Sequence, residues 1–143
     1  MASRATIVQE AVLSGLRGAG AFAAVLTGPE TNATAVPRAS VTLEGVETFA
    51  SDDVADEYWN RVRMMVELTT RDSDATNAAA RLQSLMDVAE AAILADVSQG
   101  GICQTLPIGK ATEIVGRHVS PTPHSQASAT LTLRCHFAST GGI

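Results

Sequence analysis

The sequence predicts an α+β fold: an antiparallel sheet of about four strands with two helices packed on one face, in the order α-β-β-α-β-β. Three patterns carry that prediction. Residues 62–71 alternate, with Val62, Met64, Val66, Leu68 and Thr70 pointing one way and Arg63, Met65, Glu67, Thr69 and Arg71 the other. A period of two is a strand with one buried face. From residue 76 the apolar period becomes helical, with Leu82, Leu85, Met86, Ala89, Ile93 and Val97 on one face and Gln83, Asp87 and Glu90 off it. Residues 129–137 alternate again: Ala129, Leu131, Leu133, Cys135 and Phe137 against Thr130, Thr132, Arg134 and His136.

The remaining elements fit around these. Ser3 is placed to cap a first helix whose apolar stripe is Ala5, Val8, Val12, Leu16 and Ala19, with Arg4, Gln9, Glu10 and Arg17 off the stripe. Gly15, Gly18 and Gly20 weaken its end. Residues 21–26 either continue the helix or form a short strand, and periodicity does not decide. Residues 27–32 are turn-like, and Pro37 forbids a central strand at that point. Residues 40–49 read as a strand, with Val41 and Leu43 on one face, Thr42 and Glu44 on the other, and Gly45 placed as a bulge before Val46. Residues 51–57 are acidic and exposed, with Ser51 positioned to cap one helical turn. Asp72, Ser73 and Asp74 make a polar turn before the long helix, which Asp74 or Thr76 caps. Gly100 and Gly101 lie just past its end, where a left-handed stop suits glycine. A loop over 102–110, interrupted by Pro107, leads to a weaker strand over 111–119. Pro121 and Pro123 give the 120–125 loop an extended, exposed path. The tail 138–143, with Gly141 and Gly142, reads as flexible or ordered only by a partner.

A chain of 143 residues is one domain by length, and long enough to bury a core. Fifteen acids against ten bases leave a net charge of −5, which argues against binding nucleic acid through its phosphates. The same balance suits a soluble protein, or the wall of a channel that must not hold DNA. One Trp, one Tyr and three Phe leave little for stacking platforms. Cys103 and Cys135 lack metal-site spacing and read as reduced, Cys135 as a small core hydrophobe; a disulfide between them is not indicated. The start of the chain is amphipathic rather than a secretory core. The longest apolar run, 18–26, is too short to span a membrane.

No constellation for catalysis stands out, so the expectation is a non-enzyme without metal or cofactor. His118, His124 and His136 lack partners at ligand spacing, and solvated or edge positions suit them better than a site. Asp52, Asp53, Asp56 and Glu57, like Asp72 and Asp74, lack the glycine-bearing pattern of a calcium loop. Gly15, Gly18 and Gly20 follow no strand and match no phosphate-binding fingerprint. Met64, Met65 and Met86 are core or strand-face residues. What remains is the outer sheet face, where Arg63, Glu67 and Arg71 project from one strand and Arg134 and His136 from another. That face is either an ordinary wet surface or a subunit interface whose alternating charges fix register. A sheet bare on one side, with long loops around 27–39 and 100–110, favours assembly.

This layout resembles the tail-terminator and tail-completion (head–tail joining) proteins of long-tailed bacteriophages. The resemblance rests on the amphipathic start 4–16, the proline-bearing segment leading into 41–49, the strand 62–71, the turn 72–74, the helix 76–97 and the strand 130–137. It covers most of the chain and is one of size, element order and texture; with no diagnostic motif, it carries no individual residue. It implies a virion protein of the neck, made in the host cytoplasm, that closes into a homohexameric ring on the head-proximal end of the tail tube. Such a ring ends tube polymerisation and offers the head-joining surface. The implied partners are its own copies, the tail tube protein and the head connector, with DNA passing through the lumen without specific binding and no membrane. Arg63, Glu67, Arg71, Arg134 and His136 are the candidate interface residues. Three other readings compete: a head-completion or connector protein, often more helical; a small non-catalytic ligand-binding module with a concave apolar pocket; and an enzyme, which needs a pair of perturbed titrating groups in a cleft.

Overall fold

The computed structural model describes residues 3–28, 35–71, 75–121 and 126–140. Its elements are α1 (Arg4–Gly18), β1 (Ala24–Thr27), β2 (Arg38–Ala50), β3 (Glu57–Arg71), α2 (Ala75–Leu94), β4 (Thr112–Pro121) and β5 (Gln126–Thr140). The strands form one sheet in the order β1-β2-β3-β5-β4. β1 runs parallel to β2, and the other three pairings are antiparallel. The α+β class holds, but the expected four antiparallel strands become five in a mixed sheet. The added strand comes from the undecided segment 21–26. Four residues are too few to carry a period, and what sets β1 in place is non-local: Ala23 N donates to Pro37 O at 2.7 Å and Gly28 N to Val41 O at 2.8 Å. β2 starts at the residue after the cis Val36–Pro37 bond, so the proline bounds the strand as expected.

Both helices cover one face of the sheet. α1 packs on β1 and β2, α2 on β3, β5 and β4, and the helices touch each other. Ser3 Oγ accepts from Thr6 N at 3.1 Å, satisfying one orphan amide of α1. Ala5, Val8, Val12 and Leu16 are buried as their spacing requires, and Leu13 joins them. Ala19 is exposed beyond the helix end. Gln9, expected off the stripe, is buried, and its Nε2 donates to Val41 O at 3.1 Å. An unpaired amide at that depth would cost ~1–3 kcal/mol, so the β2 carbonyl makes the position tolerable.

Under the helices, Val62, Met64, Val66 and Leu68 of β3 are fully buried and pair with Cys135, Leu133, Leu131 and Ala129 of β5. Val41 and Leu43 of β2 complete the row, and the register shift between Leu43 and Gly45 is the expected bulge. At one end of this face sits a buried polar residue, Asn60. Its Nδ2 donates to Phe137 O at 3.3 Å and Ser139 Oγ at 2.9 Å, and its Oδ1 accepts from Thr48 Oγ1 at 2.9 Å. Asn60→Ala leaves two of those groups unsatisfied. It is expected to lower stability by about 2 kcal/mol, seen as a lower urea midpoint at unchanged slope.

Leu82, Met86, Ala89 and Ile93 of α2 are buried and Leu85 is half-buried, as their spacing predicted. The helix stops at Leu94, so Val97 lies in the following turns, 47% exposed, rather than on the apolar face. Those turns have their own logic. Asp96 accepts from Ser98 N at 3.1 Å, Ser98 Oγ at 2.5 Å and Gly100 N at 3.0 Å. The Ser98 hydroxyl, then the Gly100 amide, lower the Asp96 carboxyl below the usual range. Gln99, in a left-handed conformation with φ of 45°, turns its side chain inward, where Nε2 donates to Ile93 O at 2.9 Å. A side chain thus satisfies an end carbonyl of α2. Gly100 and Gly101, with φ of 76° and 85°, are left-handed but lie within these turns, well past the helix end rather than directly after it.

Residues 51–56 form a reverse turn rather than a helical one, with Ser51 Oγ accepting from Asp53 N and Val54 N at 3.3 Å each. β4 carries a register shift at Ile114/Gly116 that exposes Val115. Beyond it Arg117 turns to the helix side and ion-pairs with Asp87 at 3.2 Å and Glu90 at 3.4 Å of α2. Residues 138–140, expected in a flexible tail, lie in β5, with Glu57 opposite Thr140. The turn at 72–74, its cap at Asp74, most of the 27–32 turn, residues 122–125 with His124, and the tail from 141 to 143 fall outside the described residues. The side chain of Thr76, the other candidate cap, is not described either.

Candidate assembly face

The face of the sheet away from the helices is built by the second half of each alternation. In one cross-strand row Gly45, Arg63, Arg134 and Glu113 stand in register on β2, β3, β5 and β4. In the next row Glu47 faces Arg61, which faces His136. Arg63 Nε reaches diagonally to Glu47 Oε1 at 3.3 Å. Arg63 and Arg134 therefore oppose each other directly, a like-charge contact that by itself disfavours pairing by a few tenths of a kcal/mol or roughly 1 kcal/mol. Each has an acid on its far side, Glu47 bonded to Arg63 and Glu113 in register with Arg134. Read diagonally from Glu47 through Arg63 and Arg134 to Glu113, the charges across four strands are minus, plus, plus, minus, and Arg61, facing Glu47, adds a further plus. Glu67 faces Thr130 in the row toward the other end of the strands, and Arg71 ends β3 opposite Gln126.

Four of the five residues singled out in the sequence, Arg63, Glu67, Arg71 and Arg134, thus share this face. Arg63, Glu67 and Arg71 are exposed, and Arg134 is half-buried. His136 has the same parity but is no solvated or edge histidine: it is fully buried under the chain's own segment 102–111. His136 N donates to Ala111 O at 3.0 Å, and Gln104 N donates to His136 O at 2.9 Å. The ring is held on both sides. Nδ1 lies 2.6 Å from Lys110 O, and Arg61 Nε donates to Nε2 at 3.1 Å. Arg61 also donates from its second guanidinium nitrogen to Ile108 O at 3.0 Å and stands 5.4 Å from the centroid of the Phe49 ring.

Arg61, Gln99 and Gly109 are the structural residues that reading the sequence missed. Arg61 had a signal, because it extends the outward parity of Arg63 and Arg71 by one more step; β3 starts at Glu57, five residues before the alternation is clean. Glu113 had none, since its pairing with Arg134 depends on how β4 docks.

Cys103 and Cys135 are free and buried. The Cys103 thiol hydrogen-bonds to Cys135, and this contact and burial hold its proton far above the ordinary thiol range. A thiol that keeps its proton is a poor nucleophile. Cys135 Sγ also lies 3.6 Å from Thr112 Oγ1. His118 is exposed on β4. Among the described residues no three of His, Cys, Asp and Glu gather as a metal site. Among the same residues, no helix is long and apolar enough to cross a membrane. An open groove of about 560 Å³ runs between α1 and α2, floored by Ala11, Gly15, Ala92 and Ala95. Its polar lining groups, Asp96 and Gln99, are committed to the turn and helix-end hydrogen bonds above.

No family model and no curated protein matches the chain. Among solved structures, a chain of the virion of a native gene transfer agent particle superposes with a TM-score of 0.48 at 12% identity, covering 96% of both chains. The type 4 fimbrial biogenesis protein PilO from Pseudomonas aeruginosa gives a TM-score of 0.39 at 8% identity, covering 92% of this chain and 68% of PilO. Neither likeness is near enough to bear on what the chain does.

Proposed function

We propose that the chain is a non-catalytic structural subunit of a phage-type virion. In this reading it is a tail terminator that closes into a hexameric ring at the head-proximal end of the tail tube, ends tube growth and offers the head-joining surface. The observation that carries the reading is the outer sheet face, where Arg63 and Arg134 stand side by side between Glu47 and Glu113 in a charged diagonal across four strands. Such a diagonal suits a protein–protein contact because it rewards one register and penalises slipped ones. A ring requires a heterologous contact that closes on itself, and a patterned face beside an open strand edge supplies the directional surface for one. The balance of elements favours a terminator over a more helical connector: strands take 4, 13, 15, 10 and 15 residues against 15 and 20 in helices. The partners in this reading are further copies of the chain, the tube protein and the head connector, with DNA passing through without specific contacts.

The test is native mass spectrometry over a concentration series with negative-stain imaging, repeated with tail tubes added. Hexamers, or rings with a central hole, are expected. A chain that stays monomeric at every concentration and leaves tube ends bare overturns the reading. Arg63→Glu with Arg134→Glu makes the diagonal uniformly negative. The monomer is expected to stay folded, because the exposed Arg63–Glu47 pair is worth only ~0.2–1 kcal/mol. Ring formation should need about tenfold more protein or worse, equivalent to ~1.4 kcal/mol per contact. Normal assembly of the double variant would show that the face is merely solvated.

A further inference from the structure

The hydrogen bonds around His136 admit only one protonation state. Lys110 O can only accept, so Nδ1, 2.6 Å away, carries a proton. Arg61 Nε–H can only donate, so Nε2, 3.1 Å away, must offer its lone pair. The ring that fits is the neutral Nδ1–H tautomer. A second proton would sit on Nε2, pointed at a guanidinium, with the ring fully buried. It would lose the Arg61 hydrogen bond and set two cations in contact without water between them.

The other charged groups around the ring do not relieve this. Lys110 is on the covering segment, and Arg63 and Arg134 flank the ring's partners on β3 and β5. Of the nearby acids, Glu47 is engaged by Arg63 at 3.3 Å, and Glu113 stands across from Arg134 rather than from His136. The segment is tied to the sheet by backbone bonds at Gln104 and Ala111 and to the Arg61–His136 pair between them. Arg61 anchors the segment through Ile108 O, Lys110 O rests on Nδ1, and a short bridge between Leu106 and Gly109 shapes the chain between them.

We propose that segment 102–111 is a proton-gated latch on the outer sheet face. It closes over Arg61 and His136 while the ring is neutral, and opens when His136 takes a second proton. A second proton costs the Arg61 hydrogen bond, so acidification works against the closed latch. Opening uncovers the Arg61–His136 end of the face and adds a positive charge there. This inference rests on the hydrogen-bond geometry alone and does not depend on the assembly reading.

Two measurements on the full chain test it. A long-range proton–nitrogen spectrum of the imidazole near pH 7.5 is expected to show His136 protonated on Nδ1; an Nε2–H tautomer overturns the proposal. Amide exchange is then compared near pH 7.5 and near pH 5.5, each corrected for the intrinsic rate. Gln104, Gly109 and Ala111 are the reporters, and core amides of β3 such as Val66 the reference. Coupling one proton to opening raises the open population by up to about tenfold per pH unit, so reporter protection should fall while core protection holds. Equal protection at both pH values, or equal loss at reporters and core, overturns the latch. His136→Asn offers an amide donor near Lys110 O but does not titrate, and its reporter protection should be independent of pH. A variant that keeps the acid-dependent loss also overturns the proposal. If this variant does not fold, the tautomer and the wild-type exchange profile still decide.

Discussion

Leu133→Asp is expected to abolish the cooperative native state. Leu133 is fully buried at the centre of β5, between Met64 of β3 and Ile114 of β4 in register. Losing its side chain from the core removes roughly 2–5 kcal/mol. Placing a carboxylate there adds a desolvation cost that no described neighbour offsets, because its partners on that face are Met64 and Leu131. A domain this size has about 5–15 kcal/mol in all, so the sum consumes most or all of it. Val66→Asp, at another fully buried position on β3, should behave alike. The informative control is Thr132→Asp, one residue away on the opposite, half-exposed face. It should fold and melt cooperatively near the wild-type temperature. Circular dichroism melts of the three variants decide the matter: a soluble, cooperatively melting Leu133→Asp would mean the strand faces are reversed. Because parity in a strand is strict, reversal would also move Arg63 and Arg134 from the outer face into the core. The same experiment therefore checks the geometry on which the assembly face depends.

The parts of the fold legible in the sequence are those where one local period decides. The two long alternations at 62–71 and 129–137 became the central pair β3 and β5, and the helical period from residue 76 became α2. Gly45 marked its bulge, and Ser3 its cap, because each does its work within three or four residues. What was not legible depends on distant chain segments. β1 exists because Pro37 and Val41 hold its ends. α2 ends at Leu94 rather than at Val97 because Gln99 folds back onto Ile93 O, a contact that polarity alone would not suggest for a glutamine. His136 is the clearest case. Its parity correctly put it on the outer face, and reading that face as open put it in solvent. Only the path of residues 102–111, with Gly109 against the ring and Arg61 behind it, turns that position into a buried one.

That path predicts the second large effect, at a residue with no functional group. A Cβ added at Gly109 would lie 2.7 Å from His136 Nε2 and 2.9 Å from Nδ1, and nearer still to Cε1. The ring cannot swing aside cheaply, since it is held by Lys110 O and Arg61 and rises from inside the sheet's longest strand pair, opposite Arg61. Gly109→Ala must therefore either move segment 102–111 off β5 or push the ring from its hydrogen bonds. Overpacking of this kind costs about 1–3 kcal/mol, which for a chain of this length is a drop of roughly 3–10 °C in melting temperature. Gly116→Ala is the matched control: its Cβ would meet Thr132 at an ordinary 3.6 Å, and stability should change by no more than about 0.5 kcal/mol. A double-mutant cycle locates the cause. In a His136→Ala background the ring is gone, so Gly109→Ala should cost much less than in the wild type, a coupling of about 1 kcal/mol or more. Additive losses would place the strain elsewhere in the segment. A Gly109→Ala protein as stable as the wild type would mean that the segment does not lie against His136 at all.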